Sequence, residues 1–377
     1  MNRTKFTFLA VFYLIIFFLC DFALTFTYNK IKIYISKDIS NYLTDHNIYH
    51  HEIKRNYNGP GRVMETNTKI INTNSFGLKS LTNKNIDFSD YKNNYIFLGD
   101  SITEGVNVNY KDTFAGILSE KFSDKGINII NLSATSYSPV IYYRKTKYFV
   151  ENYGLKFSKM FLFYDISDPY DELYRYDLKN DIVVDKKNKD TYLEERLNFN
   201  FLHNVKKFIF NNTTVIYFVS KKLKDTILGK SKEEIEFFKK YIYISNLQTN
   251  RWTFDSNYFN EEGFMGIEIS KKYLLKLKDI LDAQEAELTI LVYPWPGQIY
   301  RDDKNSLQVK IWKEWAKNNN IKFINLSPLF FENGHRSEND RLKAIDKFYL
   351  QGDMHFNENG HKIIADYLWK ELSINPN

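Results

Sequence analysis

At 377 residues and a formal charge of +6, the chain is long enough for one large α/β domain or two small ones, with a sizeable core in either case. Its 43% hydrophobic and 26% charged residues match a globular chain and exclude a disordered or polytopic membrane protein. The cations are mostly lysines spread along the sequence without a dense Arg-rich block, which excludes nucleic acid as an expected partner.

The first element is apolar. Phe6 to Cys20 carries no charge, follows Arg3 and Lys5, and continues past Asp21 through Phe22 to Tyr28, which predicts a signal anchor over residues 1–29 that crosses the membrane once. No small-x-small cleavage site stands out near its end. Lys30, Lys32 and Lys37 compete with the N-terminal charges in setting orientation, and the domain that follows is expected on the extracytoplasmic side. Cys20 is the single cysteine, so no intrachain disulfide or cysteine-based metal site is available. Bulky Phe17, Phe18 and Leu19 before it argue against a lipidation signal.

Residues 30–92 show no sustained period and carry Gly59, Pro60 and Gly61, which reads as a stalk and an entry segment. The organised fold, residues 93–372, begins with the short apolar run Tyr95 to Leu98. Helical spacing from Thr113 to Phe122 follows, then a strand at Ile127 to Asn131, a helix from Val140 to Tyr153 and a strand at Met160 to Tyr164. Beyond Asp168 the alternation lapses, and an insertion at about 175–285 with helices near Glu233 to Tyr243 and Gly266 to Leu281 is expected as a helical cap. Strand and helix resume at Leu288 to Tyr293, Leu307 to Ala316, Ile321 to Asn325 and His361 to Leu372. Strands alternating with helices, apolar on both faces, predict a parallel sheet in a three-layer α/β/α sandwich.

Two motifs carry chemistry. Gly99-Asp100-Ser101-Ile102-Thr103-Glu104-Gly105 sits where a strand ends, the end at which open α/β sheets bind ligands. A serine on such a turn exposes its hydroxyl and can aim its N–H at a developing oxyanion; alternatively this is a plain strand-to-helix turn with a helix cap. The second motif, Gly352-Asp353-Met354-His355-Phe356-Asn357-Glu358-Asn359-Gly360-His361, precedes the last helix. Serine attack needs a base, and the base needs a carboxylate on its other ring nitrogen. His355 and Asp353 supply both, with Asp353 preferred to Glu358 because positions two apart on an extended segment point the same way. The plainer alternative is a loop in which Asn357 or Asn359 caps the helix.

Together, Gly99-Asp100-Ser101 and the late Asp-x-His-Phe-Asn-x-x-Gly-His resemble the first and last signature blocks of SGNH/GDSL hydrolases, over roughly residues 93 to 372. The resemblance implies a flavodoxin-like α/β/α fold, no metal or organic cofactor, and ester hydrolysis through an acyl-enzyme on Ser101, with an acylated carbohydrate or small ester as substrate. Members that remove or transfer O-acetyl groups on bacterial surface polysaccharides often carry an N-terminal anchor like this one. The middle blocks depart from the pattern. Ser136 stands where the family has an oxyanion-hole glycine, leaving a backbone N–H in place. In Asp165-Ile166-Ser167-Asp168 the hydroxyl of Ser167 replaces an asparagine amide. The implied hole is therefore Ser101, Ser136 and Ser167.

Asp165, Asp168, Asp171 and Glu172 form an acidic cluster without a histidine, and acids at a strand end and helix start are ordinary, so no metal site is expected. Trp295, in Tyr293-Pro294-Trp295-Pro296-Gly297-Gln298, reads equally as an aromatic lip on a sugar or acyl pocket and as a packed turn. Two other functions stay open: an O-acyltransferase, whose chemistry is the same up to the acyl-enzyme, and a non-catalytic glycan-binding or scaffold protein with a degenerate site.

Overall fold

A computed structural model describes residues 3–39, 42–61, 69–81, 86–186, 213, 215–216, 219, 231–244, 249–331 and 337–374. The chain divides into two compact units, Met1–Ser40 with Asn188–Phe238, and Asn41–Lys187 with Lys239–Asn377.

In the first unit a single helix, α1 (Arg3–Ile39), runs past the expected end of the anchor. Its stretch Thr7–Tyr28 is long and apolar enough to cross a membrane. Cys20 is exposed on it. Asp21 interrupts the apolar surface but is buried, and its carboxylate accepts from the N–H groups of Val215 (2.8 Å) and Ile216 (3.0 Å). Most of the expected insertion between 187 and 230 lies outside the described residues.

The second unit opens with two hairpins, β1 (Leu43–His46) with β2 (His50–Ile53) and β3 (Asn58–Pro60) with β4 (Ile70–Asn72). The sequence shows no period here because these strands are only three or four residues long. Yet Tyr42, Tyr49 and Ile53 are fully buried, so these two hairpins pack into the domain that follows.

Then follow β5 (Asn94–Leu98), α2 (Ser101–Glu104), α3 (Phe114–Ser123), β6 (Asn128–Asn131), α4 (Pro139–Tyr153), β7 (Lys159–Tyr164) and α5 (Asp168–Tyr174). A hairpin of β8 (Tyr176–Lys179) and β9 (Ile182–Asp185) comes next, and α6 (Lys232–Lys240) spans the division between the units. The domain closes with α7 (Phe264–Asp282), β10 (Glu287–Val292), α8 (Pro296–Tyr300), α9 (Leu307–Asn318), β11 (Lys322–Asn325), α10 (Glu338–Phe348) and α11 (Glu358–Ile374).

Five of these strands form one parallel sheet in the order β11-β10-β7-β5-β6. Read from the other edge this is the flavodoxin order, and the three-layer α/β/α class expected from the sequence is the architecture found. β5 is buried along its whole length, as a strand covered on both faces must be. Phe97 and Phe163 face α3 through Phe114, and α11 packs beside α3. On the other face Tyr164 meets Trp312 of α9 and its hydroxyl bonds Ser270 of α7, which lies against α4. Helix α7 is therefore the crossover helix feeding β10 and not part of a cap. The long excursion before it hid the β-α-β alternation. The chain turns back on itself between β5 and β7, and at that switch point an open α/β sheet leaves a crevice beyond its carboxyl ends.

Candidate active site

Ser101 leaves the carboxyl end of β5 on a tight turn. A Cβ on Gly99 would lie 2.2 Å from Thr103 Oγ1 and 3.0 Å from the Phe163 carbonyl, so glycine is what lets β5 close against β7 there. Asp100 caps the short helix α2 by accepting from Ile102 N at 3.0 Å. Gly105 ends it in the left-handed conformation at φ 77°. All four residues of α2 are buried, so the serine is held by packing on every side.

The last motif is fixed just as firmly. Tyr349 and Phe356 pair across a tight loop, the Leu350 N–H donates to the His355 carbonyl at 2.9 Å, and Phe356 stacks on Phe330 with ring centroids 4.9 Å apart. Asn357 does cap α11, accepting from the N–H groups of Asn359 and Gly360. Glu358 points elsewhere, toward Lys69 at 3.6 Å.

These two loops bring the three sequence-predicted residues together across 254 positions. His355 Nε2 lies 2.8 Å from Ser101 Oγ, and His355 Nδ1 lies 2.7 Å from Asp353 Oδ1. A carboxylate only accepts, so Nδ1 carries the ring hydrogen and Nε2 is left to accept from the serine hydroxyl. Burial alone would raise the Asp353 carboxyl, but the hydrogen bond from the His355 ring, with those from the Met354 and His355 N–H groups, outweighs it and holds the group below the usual carboxylate range. Asp353 also accepts from Met354 N at 2.7 Å. A buried imidazole bridging a hydroxyl and an ionised carboxylate can take the hydroxyl's proton and be stabilised once charged.

A second carboxyl, Asp100, has its Oδ2 3.3 Å from Ser101 Oγ. Burial, and after it the Asp165 carboxylate, push Asp100 well above its ordinary range.

The oxyanion side differs from expectation in part. Ser136 is half-buried and adopts φ 63°, the left-handed conformation that favours glycine. Among the described residues its N–H and that of Ser101 donate to no protein acceptor. Ser167 is a correction. Both its N–H (2.7 Å) and its hydroxyl (2.6 Å) donate to Asp165 Oδ1, so its one hydroxyl hydrogen is committed to a carboxylate and not to an oxyanion. Trp295 is a second correction: it is fully buried, and its Nε1 donates to Asp165 Oδ2 at 2.9 Å, beside Tyr293 OH at 2.8 Å. It is the packed turn of the two alternatives.

Asp165 is thus an acceptor hub for four donors on two loops. Asp168 accepts from Asp165 N and from Tyr142 OH, Asp171 pairs with Arg175, and Glu172 accepts from Ser138 and Val140 N. The acidic run is spent on structure. Sequence reasoning missed Glu104, whose Oε2 accepts from both the N–H and the hydroxyl of Thr135 at 2.7 Å, while its other oxygen meets the buried Lys79 Nζ at 2.7 Å. Asn131 Nδ2 donates to the Thr103 carbonyl at 2.8 Å. The loop carrying Ser136 is therefore stitched to the helix carrying Ser101.

No protein-family model matches the sequence, and no curated protein matches it. Among solved structures it resembles the acetyl xylan esterase AlAXEase at TM-score 0.40 and 14% identity, over 74% of this chain and 99% of that one. It also resembles esterase EstA from Pseudoalteromonas sp. (TM-score 0.37, 10% identity, 74% and 97%) and a lipase/acylhydrolase from Enterococcus faecalis (TM-score 0.36, 11% identity, 74% and 95%). These likenesses are too distant to bear on activity.

Proposed function

We propose that the chain is a serine-dependent ester hydrolase in which Ser101 is the nucleophile, His355 the general base and Asp353 the group that orients His355. The supporting observation is the buried relay from Ser101 Oγ through His355 to Asp353, at 2.8 Å and 2.7 Å. Ser101 Oγ bonds to the ester carbonyl carbon while its proton passes to His355 Nε2 and the carbonyl electrons move onto oxygen. The N–H groups of Ser101 and Ser136 receive that oxyanion. Collapse expels the alcohol, which takes the proton from His355, and leaves an acyl group on Ser101. Water, activated by the same ring, repeats the sequence and frees the acid.

The substrate class we propose is an O-acylated carbohydrate, acted on by a domain held at the extracytoplasmic face of a membrane by α1. The apolar stretch Thr7–Tyr28 supports the anchoring; the carbohydrate rests on resemblance. The test is labelling of the 377-residue chain in detergent micelles with a serine-reactive fluorophosphonate, followed by mass mapping. Modification of Ser101, abolished by His355→Ala, is the expected result. No modification at Ser101 in folded protein would refute the reading and favour a binding protein. Adding a sugar acceptor to ester turnover then separates hydrolysis from transfer, since acyl-sugar outpacing free acid would replace the hydrolase with a transferase.

A further inference from the structure

The N-terminal hairpin reaches the same loop. His51, the second residue of β2, is buried, and its Nε2 lies 2.7 Å from the Thr135 carbonyl oxygen. A carbonyl only accepts, so Nε2 carries the hydrogen and Nδ1 of the neutral ring has only a lone pair. Burial lowers His51 to about 4, which keeps that ring neutral near pH 7. His50 Nδ1, 2.7 Å from His51 Nδ1, must then be the donor that fills the lone pair. The two rings form an ordered chain that ends on one backbone carbonyl.

That carbonyl belongs to the Thr135–Ser136 peptide. The peptide is planar and trans, so its C=O and the Ser136 N–H point in opposite directions. Holding the oxygen toward His51 holds the N–H away from the hairpin. Every other polar group of Thr135 is also engaged. Its N–H and hydroxyl donate to Glu104, and because that hydroxyl hydrogen is used, Tyr42 OH at 3.2 Å donates to Thr135 Oγ1. Tyr137 OH returns a bond of 2.6 Å to the His51 carbonyl. Such fixing matters because a peptide flanking a left-handed residue can flip, which would turn a carbonyl where the N–H should be.

We infer that His51 is a positioning residue of the oxyanion hole: it locks the Thr135–Ser136 peptide with the Ser136 N–H facing the reacting carbonyl, which makes the N-terminal hairpin a working part of the site. The inference rests on Ser136 N–H being an oxyanion donor in the ester hydrolysis proposed above.

The test compares His51→Phe, which keeps a ring but removes the donor, with His51→Gln, whose amide can donate from near the Nε2 position. Turnover of p-nitrophenyl acetate by the full chain in micelles is divided by the fraction of sites a fluorophosphonate labels. Losing an oxyanion donor costs roughly a hundredfold or more, and a misaligned one should lower kcat by about tenfold or more with KM little changed. His51→Gln should recover most of it. Wild-type kcat per labelled site in His51→Phe overturns the inference, as does equal loss in both variants, which is what a purely structural role would give. If His51→Phe does not fold, His51→Asn, whose shorter amide does not reach, takes its place against His51→Gln. Turnover surviving Ser101→Ala would instead sink the hydrolase reading itself, and the two failures are thereby distinct.

Discussion

The hydroxyl of Ser167 donates to Asp165 Oδ1 at 2.6 Å, and the backbone N–H of the same residue joins it at 2.7 Å. Ser167 is therefore a support for Asp165, not an oxyanion donor. Ser167→Ala should lower kcat by less than about threefold, against the roughly hundredfold cost of deleting a working donor. Steady-state kinetics decides it, and a hundredfold loss would restore Ser167 to the hole.

Asp353 sets the tautomer of His355. In Asp353→Asn the amide can donate to Nδ1, which moves the ring hydrogen to Nε2 and leaves nothing to accept the Ser101 proton. A fall in kcat of roughly 10³ to 10⁴ is expected by analogy with serine hydrolases generally, with thermal stability nearly unchanged. Activity within tenfold of wild type would show that another group orients the ring.

The Lys79–Glu104 pair is buried on both sides. Burial opposes the Glu104 charge, but Lys79 and Thr135 outweigh it and hold the carboxyl low. Lys79→Met strands that charge, and breaking a buried pair in this way costs roughly 3 to 5 kcal/mol. Denaturant unfolding should register the loss. A change below about 1 kcal/mol, the size expected of an exposed pair, would mean the pair is solvated.

Glu172 is fully buried and raised to about 7 by that burial. Its folded value lies above its unfolded one, so its contribution to stability is complete below the unfolded value of 4.5 and lost as pH rises through about 7. Glu172→Gln removes this dependence. Relative to wild type the variant should gain stability between pH 5 and pH 8, by up to roughly 3 kcal/mol. A difference constant with pH would show that Glu172 titrates normally.

The sheet was legible because its strands are continuous apolar runs and its helices keep their spacing, and the Ser101 and His355 loops because glycine, aspartate and serine have few other uses in that order. Four things were not. Helix α7 has a clear apolar stripe, but nothing local says that it crosses back to β10. The strands β1 and β2 are too short to show a period, so His51 fell within a segment read only as stalk and entry. Asp165 and Trp295 were individually visible, but their bond joins residues 130 apart, and a side-chain hydrogen bond leaves no mark on periodicity. Glu104 lay in plain sight inside the first motif; its role depends on Thr135 and Lys79, which only the fold brings to it.

The most direct test of the central claim is p-nitrophenyl acetate turnover by the full chain in micelles beside Ser101→Ala and His355→Ala. Turnover by the wild type that falls to background in both variants, with folding retained, is the expected result. Equal turnover in all three proteins, or none in a folded wild type, would contradict it.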